Sequence, residues 1–280
     1  MLIHPTSDLT VDDDNLDVHS VLLMHGQPGS ALIWTRVLPS LRAYGLRTFA
    51  VEQRDDSHTG GDAVDQFENA AALGRLLDAR RRPPAVVVAH SHGVDLALAL
   101  AATAPRHVRA LVLVAPAAGV ESISIIDRVL ATPILGPSLA WLGFHTAGLA
   151  LRIGPLRDRV LTRLVGLSGT DAKKVAHRVS DGRTWRTFAT EQRRLVTYAR
   201  CLHHGLNQLT CPIIVINATD DPIAAPRLVS ALARRLPGAE IITTDTGHLV
   251  PIDDPDAVTT AILRALRVDY RKSLSQQLSA

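Results

Sequence analysis

The sequence predicts an α/β fold, in which a mostly parallel sheet is flanked by helices and one helical insertion interrupts the pattern. Short apolar runs of strand length alternate along the chain with stretches of helical periodicity. The runs are apolar at consecutive positions, which is typical of parallel strands buried on both faces. The alternation stops once, between residues 118 and 207, where helical spacing continues without a convincing strand. These three observations together define the predicted fold class.

The predicted strands are six short apolar runs, rich in β-branched residues or Leu, that lie between turn residues. Their buried character predicts that they form one parallel sheet, joined by right-handed crossovers. They cover residues 18–24, 47–51, 84–89, 110–114, 212–216 and 240–243.

The predicted helices of the sheet domain are the amphipathic stretches between those strands. They cover residues 33–44, 65–80, 94–104, 226–236 and 256–267. The tail after Tyr270 is polar, and we expect it to be loosely ordered.

Residues 118–207 are predicted to form a helical lid between two parts of the core domain, 1–117 and 208–280. The lid carries the positive charge of the chain. Residues 152–200 hold 12 Lys or Arg against 4 Asp or Glu, a net charge of +8, whereas the remaining residues sum to −5. A solvated helical surface explains this charge most simply, and attraction to anionic lipid or to an acidic substrate is the alternative. Aromatic residues are too few among the basic ones to favour nucleic acid.

Residues 129–151 contain no Asp, Glu, Lys or Arg over 23 positions, a length that could cross a bilayer. Pro133, Gly136 and Pro137 would break or loosen a helix in lipid. We therefore expect an apolar lid or the lining of an acyl pocket, with peripheral membrane contact as an alternative.

The composition bounds the class of protein. With 280 residues, 46% hydrophobic and 20% charged, the chain can bury a large core and is neither disordered nor fibrous. Cys201 and Cys211 fit neither a metal site nor a disulfide framework, and the first residues lack a signal-peptide pattern. We expect a cytoplasmic protein without a metal or cofactor, and the oligomeric state is left open.

Ser91 is the candidate nucleophile. It lies in Ala89-His-Ser-His-Gly93, where a buried strand breaks at a tight turn before a helical segment. Such a turn lifts a serine hydroxyl clear of the main chain, and small neighbours such as Gly93 allow the strand and helix to approach. The simpler alternative is a serine that only caps the helix.

The turn after the first predicted strand is a candidate oxyanion hole. In His25-Gly-Gln-Pro-Gly29 the glycines allow a sharp turn that could aim the N–H of Gln27 at a reacting carbonyl. The N–H of His92, directly after the nucleophile, would be the second donor. A glycine turn without a function is the alternative.

Asp221 is the candidate acid. It follows a buried strand, so that its carboxylate could accept the Nδ1–H of a histidine and stabilise the imidazolium. Asp221 also precedes Pro222, so a turn or helix cap is the rival explanation, and Asp220 is the fallback acid.

His248 is the candidate base. It follows the last predicted strand in Gly247-His248, and only this one of the twelve histidines comes after both other candidates. His90 and His92 flank the nucleophile, but a tight turn directs neighbouring side chains away from the serine hydroxyl, which argues against either as the base.

With the motifs at His25-Gly-Gln-Pro-Gly29, Ala89-His-Ser-His-Gly93, Ala218-Thr-Asp-Asp-Pro222 and Gly247-His248, the chain resembles lidded α/β-hydrolases of the esterase, epoxide-hydrolase and haloperoxidase-like superfamily. The resemblance implies the order Ser91, Asp221, His248 for a catalytic triad. Relatives that open epoxides or displace halide carry aspartate in place of Ser91, so the resemblance favours esters or related acyl bonds. The apolar lid suggests that the small-molecule substrate is hydrophobic. Alternatives on the same fold are carbon–carbon bond hydrolysis, perhydrolysis, or ligand binding without turnover.

Overall fold

The structure, a computed structural model, describes residues 2–5, 19–27, 29–52, 66–119, 122–165, 169–202 and 206–277. Contacts within the chain divide it into two compact units. The first unit contains Met1–Gln53, Gln66–Ser122 and Arg200–Ala280, and the second contains Arg54–Asp65 and Ile123–Ala199.

A seven-stranded sheet forms the centre of the first unit, and it confirms the predicted parallel α/β architecture. Its strands are β1 (Leu2–Pro5), β2 (Ser20–Met24), β3 (Arg47–Glu52), β4 (Ala85–His90), β5 (Val108–Val114), β6 (Ile213–Ala218) and β7 (Glu240–Thr244). They lie in the order β1-β3-β2-β4-β5-β6-β7. All neighbours from β3 to β7 are parallel, and each of these six strands overlaps a predicted one.

The edge strand β1 was missed by the sequence analysis. It pairs antiparallel with β3, with Leu2 opposite Glu52. Four residues that end in proline carry too little periodicity to predict a strand.

The helices of the first unit cover the sheet. They are α1 (Leu38–Ala43), α2 (Gln66–Ala79), α3 (Gly93–Thr103), and, near the end of the chain, α9 (Pro226–Ala233), α10 (Val250–Asp253) and α11 (Pro255–Gln277). The helix predicted over 33–44 is instead a 3-10 turn, Ala31–Trp34, followed by the shorter α1. Pro39 explains the break, because proline fits only the first turn of an α-helix. The expectation of a loosely ordered tail after Tyr270 is wrong as far as Gln277, since α11 continues to that residue.

Both faces of the sheet are buried, as the apolar strands predicted. In β4, Val87 and Ala89 pack into one hydrophobic cluster, together with residues of α2, α3 and α9. Val86 and Val88 point to the opposite cluster, together with residues of α1 and α11. This packing fixes the carboxyl ends of the strands, where ligands bind in open α/β sheets.

The second unit is helical. It contains α4 (Ile125–Leu130), α5 (Leu135–Leu151), α6 (Gly154–Val165), α7 (Gly169–Ser180) and most of α8 (Gly182–Leu202). A small cluster of Leu151, Leu161, Ala172 and Ala176 forms its core. Within the described ranges, we find no helix with the length and apolar character that a membrane span needs.

A capping box starts α4, where the Ser124 side chain accepts the N–H of Asp127 while the Asp127 carboxylate accepts the N–H of Ser124. The other carboxylate oxygen of Asp127 accepts a hydrogen bond of 2.7 Å from the Gln192 amide. This contact ties the short α4 to α8.

Candidate active site

Ser91 lies in the tight turn between β4 and α3. Its φ is +53°, a left-handed conformation that costs a residue with a side chain about 1–3 kcal/mol. The N–H of Ser91 donates a hydrogen bond of 3.0 Å to the carbonyl oxygen of Val114, at the end of β5. The sheet therefore holds this strained turn, which is typical of a serine displayed for nucleophilic attack.

Two glycines allow the end of β2 to approach this turn. A Cβ atom at Gly93 would lie 2.5 Å from the carbonyl oxygen of His25, and one at Gly26 would lie 2.7 Å from the Cβ of Ser91. Neither distance leaves room for a side chain. The small residues in the two motifs thus have a packing reason, which is the close contact between the β2 turn and the Ser91 turn.

His248 links Ser91 to Asp221. Its Nε2 lies 2.8 Å from the Oγ of Ser91, and its Nδ1 lies 2.7 Å from the Oδ2 of Asp221. Because the carboxylate can only accept, Nδ1 carries the proton, and Nε2 accepts the hydrogen bond that the serine hydroxyl donates. Three side chains from the loops after β4, β6 and β7 therefore form one hydrogen-bonded chain.

Asp221 is buried and held by its own turn. Its Oδ1 accepts hydrogen bonds from the N–H groups of Ile223 at 2.7 Å and Ala224 at 2.8 Å. Burial alone would raise the pKa of Asp221. The hydrogen bond from His248, the charge of His248 and the two N–H donors together outweigh burial, so the pKa lies below its usual value. The fallback acid, Asp220, is exposed, and its N–H donates to the carbonyl oxygen of Thr246. The carboxylate bonded to His248 is thus that of Asp221.

Gln27 and His92 are the chain neighbours of Gly26 and Ser91, the two residues that meet at this close contact. Gln27 follows Gly26 in the turn after β2, and His92 precedes the first residue of α3. The buried ring of His92 turns toward the helix, where its Nδ1 lies 3.1 Å from the Oδ2 of Asp95. The use of the two main-chain N–H groups as an oxyanion hole stays a prediction.

His90 has a contact that the sequence analysis missed. Its Nε2 donates a hydrogen bond of 2.9 Å to the main-chain carbonyl oxygen of His248. The two rings lie 4.9 Å apart between centroids, and the ring of Trp34 meets His90 edge-on at 6.5 Å. The sequence analysis weighed His90 only as a possible base and argued against that role. The position of His90 at the end of a buried strand was the one signal of another role.

His90 is neutral in the folded protein. Burial, reinforced by the neighbouring His248, lowers the pKa of His90 from 6.5 to about 3. A neutral ring whose Nε2–H is committed to the His248 carbonyl acts as a fixed donor. We conclude that His90 helps to hold the His248 loop in place.

The described part of the chain contains no group of three or more His, Cys, Asp or Glu side chains that could hold a metal ion. The chemistry that this arrangement can perform is the activation of the Ser91 hydroxyl. Proton transfer from a serine to a histidine, with a carboxylate behind it, generates a nucleophile near neutral pH.

Comparisons with known proteins identify a family and relatives of this chain. A family model described as "Alpha/beta hydrolase family" matches residues 21–261. Over 264 residues, the chain is 29% identical to a protein named Lipase LipV from Mycobacterium tuberculosis. The aligned region covers 86% of this chain and 91% of that protein. It is 27% identical over 237 residues to a pimeloyl-acyl-carrier-protein methyl ester esterase from Neisseria meningitidis, with coverage of 84% and 87%.

The fold is shared with solved structures. A loop variant of a haloalkane dehalogenase from Bradyrhizobium elkanii superposes with a TM-score of 0.68 at 21% identity, covering 91% of this chain and 92% of that chain. At this identity the likeness shows the fold alone.

Proposed function

Since the chain belongs to the alpha/beta hydrolase family, we propose that it is a serine hydrolase that cleaves a carboxylic ester or a related acyl bond. The observation that carries the proposal is the hydrogen-bonded chain from Ser91 through His248 to Asp221. Relatives named as a lipase and as a methyl ester esterase support ester hydrolysis in general.

In the proposed mechanism, the Oγ of Ser91 attacks the carbonyl carbon of the substrate while Nε2 of His248 takes the hydroxyl proton. Asp221 stabilises the imidazolium through Nδ1–H. The N–H groups of Gln27 and His92 stabilise the negative oxygen of the tetrahedral intermediate. His248 then protonates the departing alcohol, which leaves an acyl group on Ser91.

Water completes the cycle. His248 takes a proton from a water molecule, whose oxygen attacks the acyl-enzyme. As the second intermediate collapses, His248 returns this proton to the Oγ of Ser91, which releases the carboxylic acid and free Ser91. A carboxylate partner at Nδ1 favours the tautomer that carries its proton there, which is the one that both half-reactions need. Substitution of the carboxylate would therefore affect both.

We propose an apolar small molecule as substrate and a lid role for the helical unit. The uncharged composition of residues 129–151 supports both, because an apolar lid favours an apolar substrate. Contact with a membrane through the same basic and apolar unit is a further part of the proposal.

Hydrolysis of p-nitrophenyl esters of increasing acyl length tests this function. We expect turnover that improves with acyl length and disappears in Ser91→Ala, whereas Ser40→Ala, in α1, retains it. Circular dichroism of each variant shows whether it is folded. Equal turnover in Ser91→Ala and the parent would contradict the proposal, and a flat length profile would contradict the apolar pocket.

The alternatives predict different products. Carbon–carbon bond hydrolysis would show as cleavage of a diketone without ester turnover, and perhydrolysis as peracid formed with hydrogen peroxide. A saturable ligand without any turnover would favour a binding protein.

A further inference from the structure

The exposed apolar side chains of this protein are concentrated in one part of the chain. Of the thirteen large apolar side chains that are exposed among the described residues, ten lie between Ile125 and Leu156. We call these ten the apolar surface. They are Ile125, Ile126, Ile134, Leu135, Leu139, Trp141, Leu142, Leu149, Ile153 and Leu156. Single exposed apolar residues are normal, whereas a concentration of this kind marks an interaction site.

Helix α5 buries three small residues and Leu151, and it leaves most of its large apolar side chains exposed. Its buried residues include Gly136, Ala140 and Gly148, while Trp141 and Leu142 are 47% and 51% exposed. A helix that serves only the core of its own unit places its large apolar residues inward. The packing therefore uses Gly136, Ala140 and Gly148 to bring α5 close to its neighbours and leaves Trp141 and Leu142 for an external apolar environment.

Basic groups adjoin the apolar surface. A cavity of about 330 Å³ is lined by Trp141 and Leu149 on α5 together with Arg152 and Arg186. The lining residues also include one acidic residue, Asp181. Both arginines are exposed, and the guanidinium of Arg186 lies 5.3 Å from the centroid of the Trp185 ring. Aromatic and cationic groups thus share one opening.

We propose that the apolar surface docks on an anionic phospholipid bilayer, with Trp141 and Leu142 at the level of the headgroups and Arg152 and Arg186 beside the lipid phosphates. Tryptophan favours the membrane interface, since its ring is apolar and its N–H is polar. Arginine pairs with phosphate through charge-assisted hydrogen bonds. Docking of this kind needs neither Ser91 nor its chemistry.

Charge selects the membrane as the occupant rather than a second copy of the chain. Residues 152–200 carry a net charge of +8, so that two copies facing each other through this unit would repel. An anionic bilayer neutralises the same charge and accepts the apolar side chains beside it.

Co-sedimentation of the full-length protein with phosphatidylcholine vesicles, with and without phosphatidylglycerol, tests the proposal. We expect binding to the anionic vesicles that weakens as salt is added. A basic residue near such a surface contributes about fivefold to partitioning, so Arg152→Glu with Arg186→Glu should weaken binding by at least about tenfold. Trp141→Ser with Leu142→Ser should weaken it at both low and high salt.

Matched changes in the first unit provide the control. Arg227 and Ile241 are also exposed, so Arg227→Glu and Ile241→Ser should bind as the parent does. Ser91→Ala should bind vesicles unchanged, which separates a failure of docking from a failure of the proposed hydrolase.

Three outcomes would overturn the proposal. The first is an absence of binding to anionic vesicles. The second is a loss of vesicle binding in Arg227→Glu and Ile241→Ser as large as the loss in the variants of the apolar surface and its arginines. The third is a dimer in sedimentation velocity that Trp141→Ser with Leu142→Ser abolishes, since this would assign the apolar surface to a second copy.

Discussion

The ring of His90 and the main chain of His248 are joined by a hydrogen bond of 2.9 Å, from Nε2–H to the carbonyl oxygen. His90 ends the central strand β4 and directly precedes Ser91, whereas His248 lies on the loop after β7. One buried side chain thus connects the strand that carries the proposed nucleophile to the loop that carries the proposed base.

Replacement of His90 tests this positioning role. Gln has an amide N–H near the position of the imidazole Nε2, so His90→Gln should keep most of the turnover. His90→Leu has no donor, and we expect kcat to fall by about tenfold to a hundredfold with little change in KM, because a small displacement of the base slows proton transfer. Steady-state kinetics on a short ester measures both. Equal kinetics in the two variants, with equal stability, would show that the hydrogen bond does not position His248.

The pH dependence of stability provides an independent test of His90. Its pKa is about 3 in the folded protein and near 6.5 when unfolded, so unfolding takes up a proton between these values. This contribution to stability is present above about pH 6.5 and is lost as the pH falls toward 3, by up to about 1.4 kcal/mol per pH unit.

His90→Gln should remove the part of the acid-induced loss of stability that comes from protonation of His90. Urea unfolding at several pH values between 7 and 4 should show a shallower decline for the variant than for the parent. The exposed His177, replaced by Gln, is the control, and its decline should follow the parent. Parallel curves for His90→Gln and the parent would contradict a neutral buried His90.

Asp221 and Asp220 form a natural pair for comparison. Asp221→Asn should lower kcat by about 10⁴, because the amide no longer holds the His248 tautomer that accepts the serine proton. Asp220→Asn removes the neighbouring exposed carboxylate and should leave kcat unchanged. The opposite pattern in ester hydrolysis assays would assign the acid to Asp220.

Gly93 tests the close contact between the β2 turn and the Ser91 turn. Gly93→Ala would bring a methyl group to 2.5 Å from the carbonyl oxygen of His25, so we expect a loss of at least about 2 kcal/mol in the free energy of unfolding. Gly143 lies in α5 with open space around it, and Gly143→Ala should stabilise by about 0.5–1 kcal/mol. Urea unfolding measures both, and a Gly93→Ala variant as stable as the parent would contradict the tight approach.

The sequence predicted the parts of the fold that depend on local periodicity. The six parallel strands are apolar enough to be recognised one by one, and the turn chemistry predicted loops at their carboxyl ends. Ser91, Asp221 and His248 could be expected near one another because these ends share one edge of the sheet. Four-residue β1 was not predictable, since it has no periodicity, and the break before α1 depends on where Pro39 falls in the first turn.

Tertiary contacts account for what the sequence left open. The choice between Asp220 and Asp221 depends on which carboxylate the loop directs toward His248, and two adjacent aspartates look alike in sequence. The His90 contact joins residues on two distant segments of the chain. The exposure of Trp141 and Leu142 depends on which face of α5 packs inward, and an almost uniformly apolar helix carries no pattern that decides it.

Labelling with a fluorophosphonate tests the central claim most directly. If the hydrogen-bonded chain activates Ser91, the reagent should attach once per chain, at the peptide that contains Ser91, and His248→Ala should slow labelling by several orders of magnitude. Intact-protein and peptide mass spectrometry give the stoichiometry and the site. A folded protein that stays unlabelled, or that is labelled equally fast in His248→Ala, would contradict the proposal that Ser91 is an activated nucleophile.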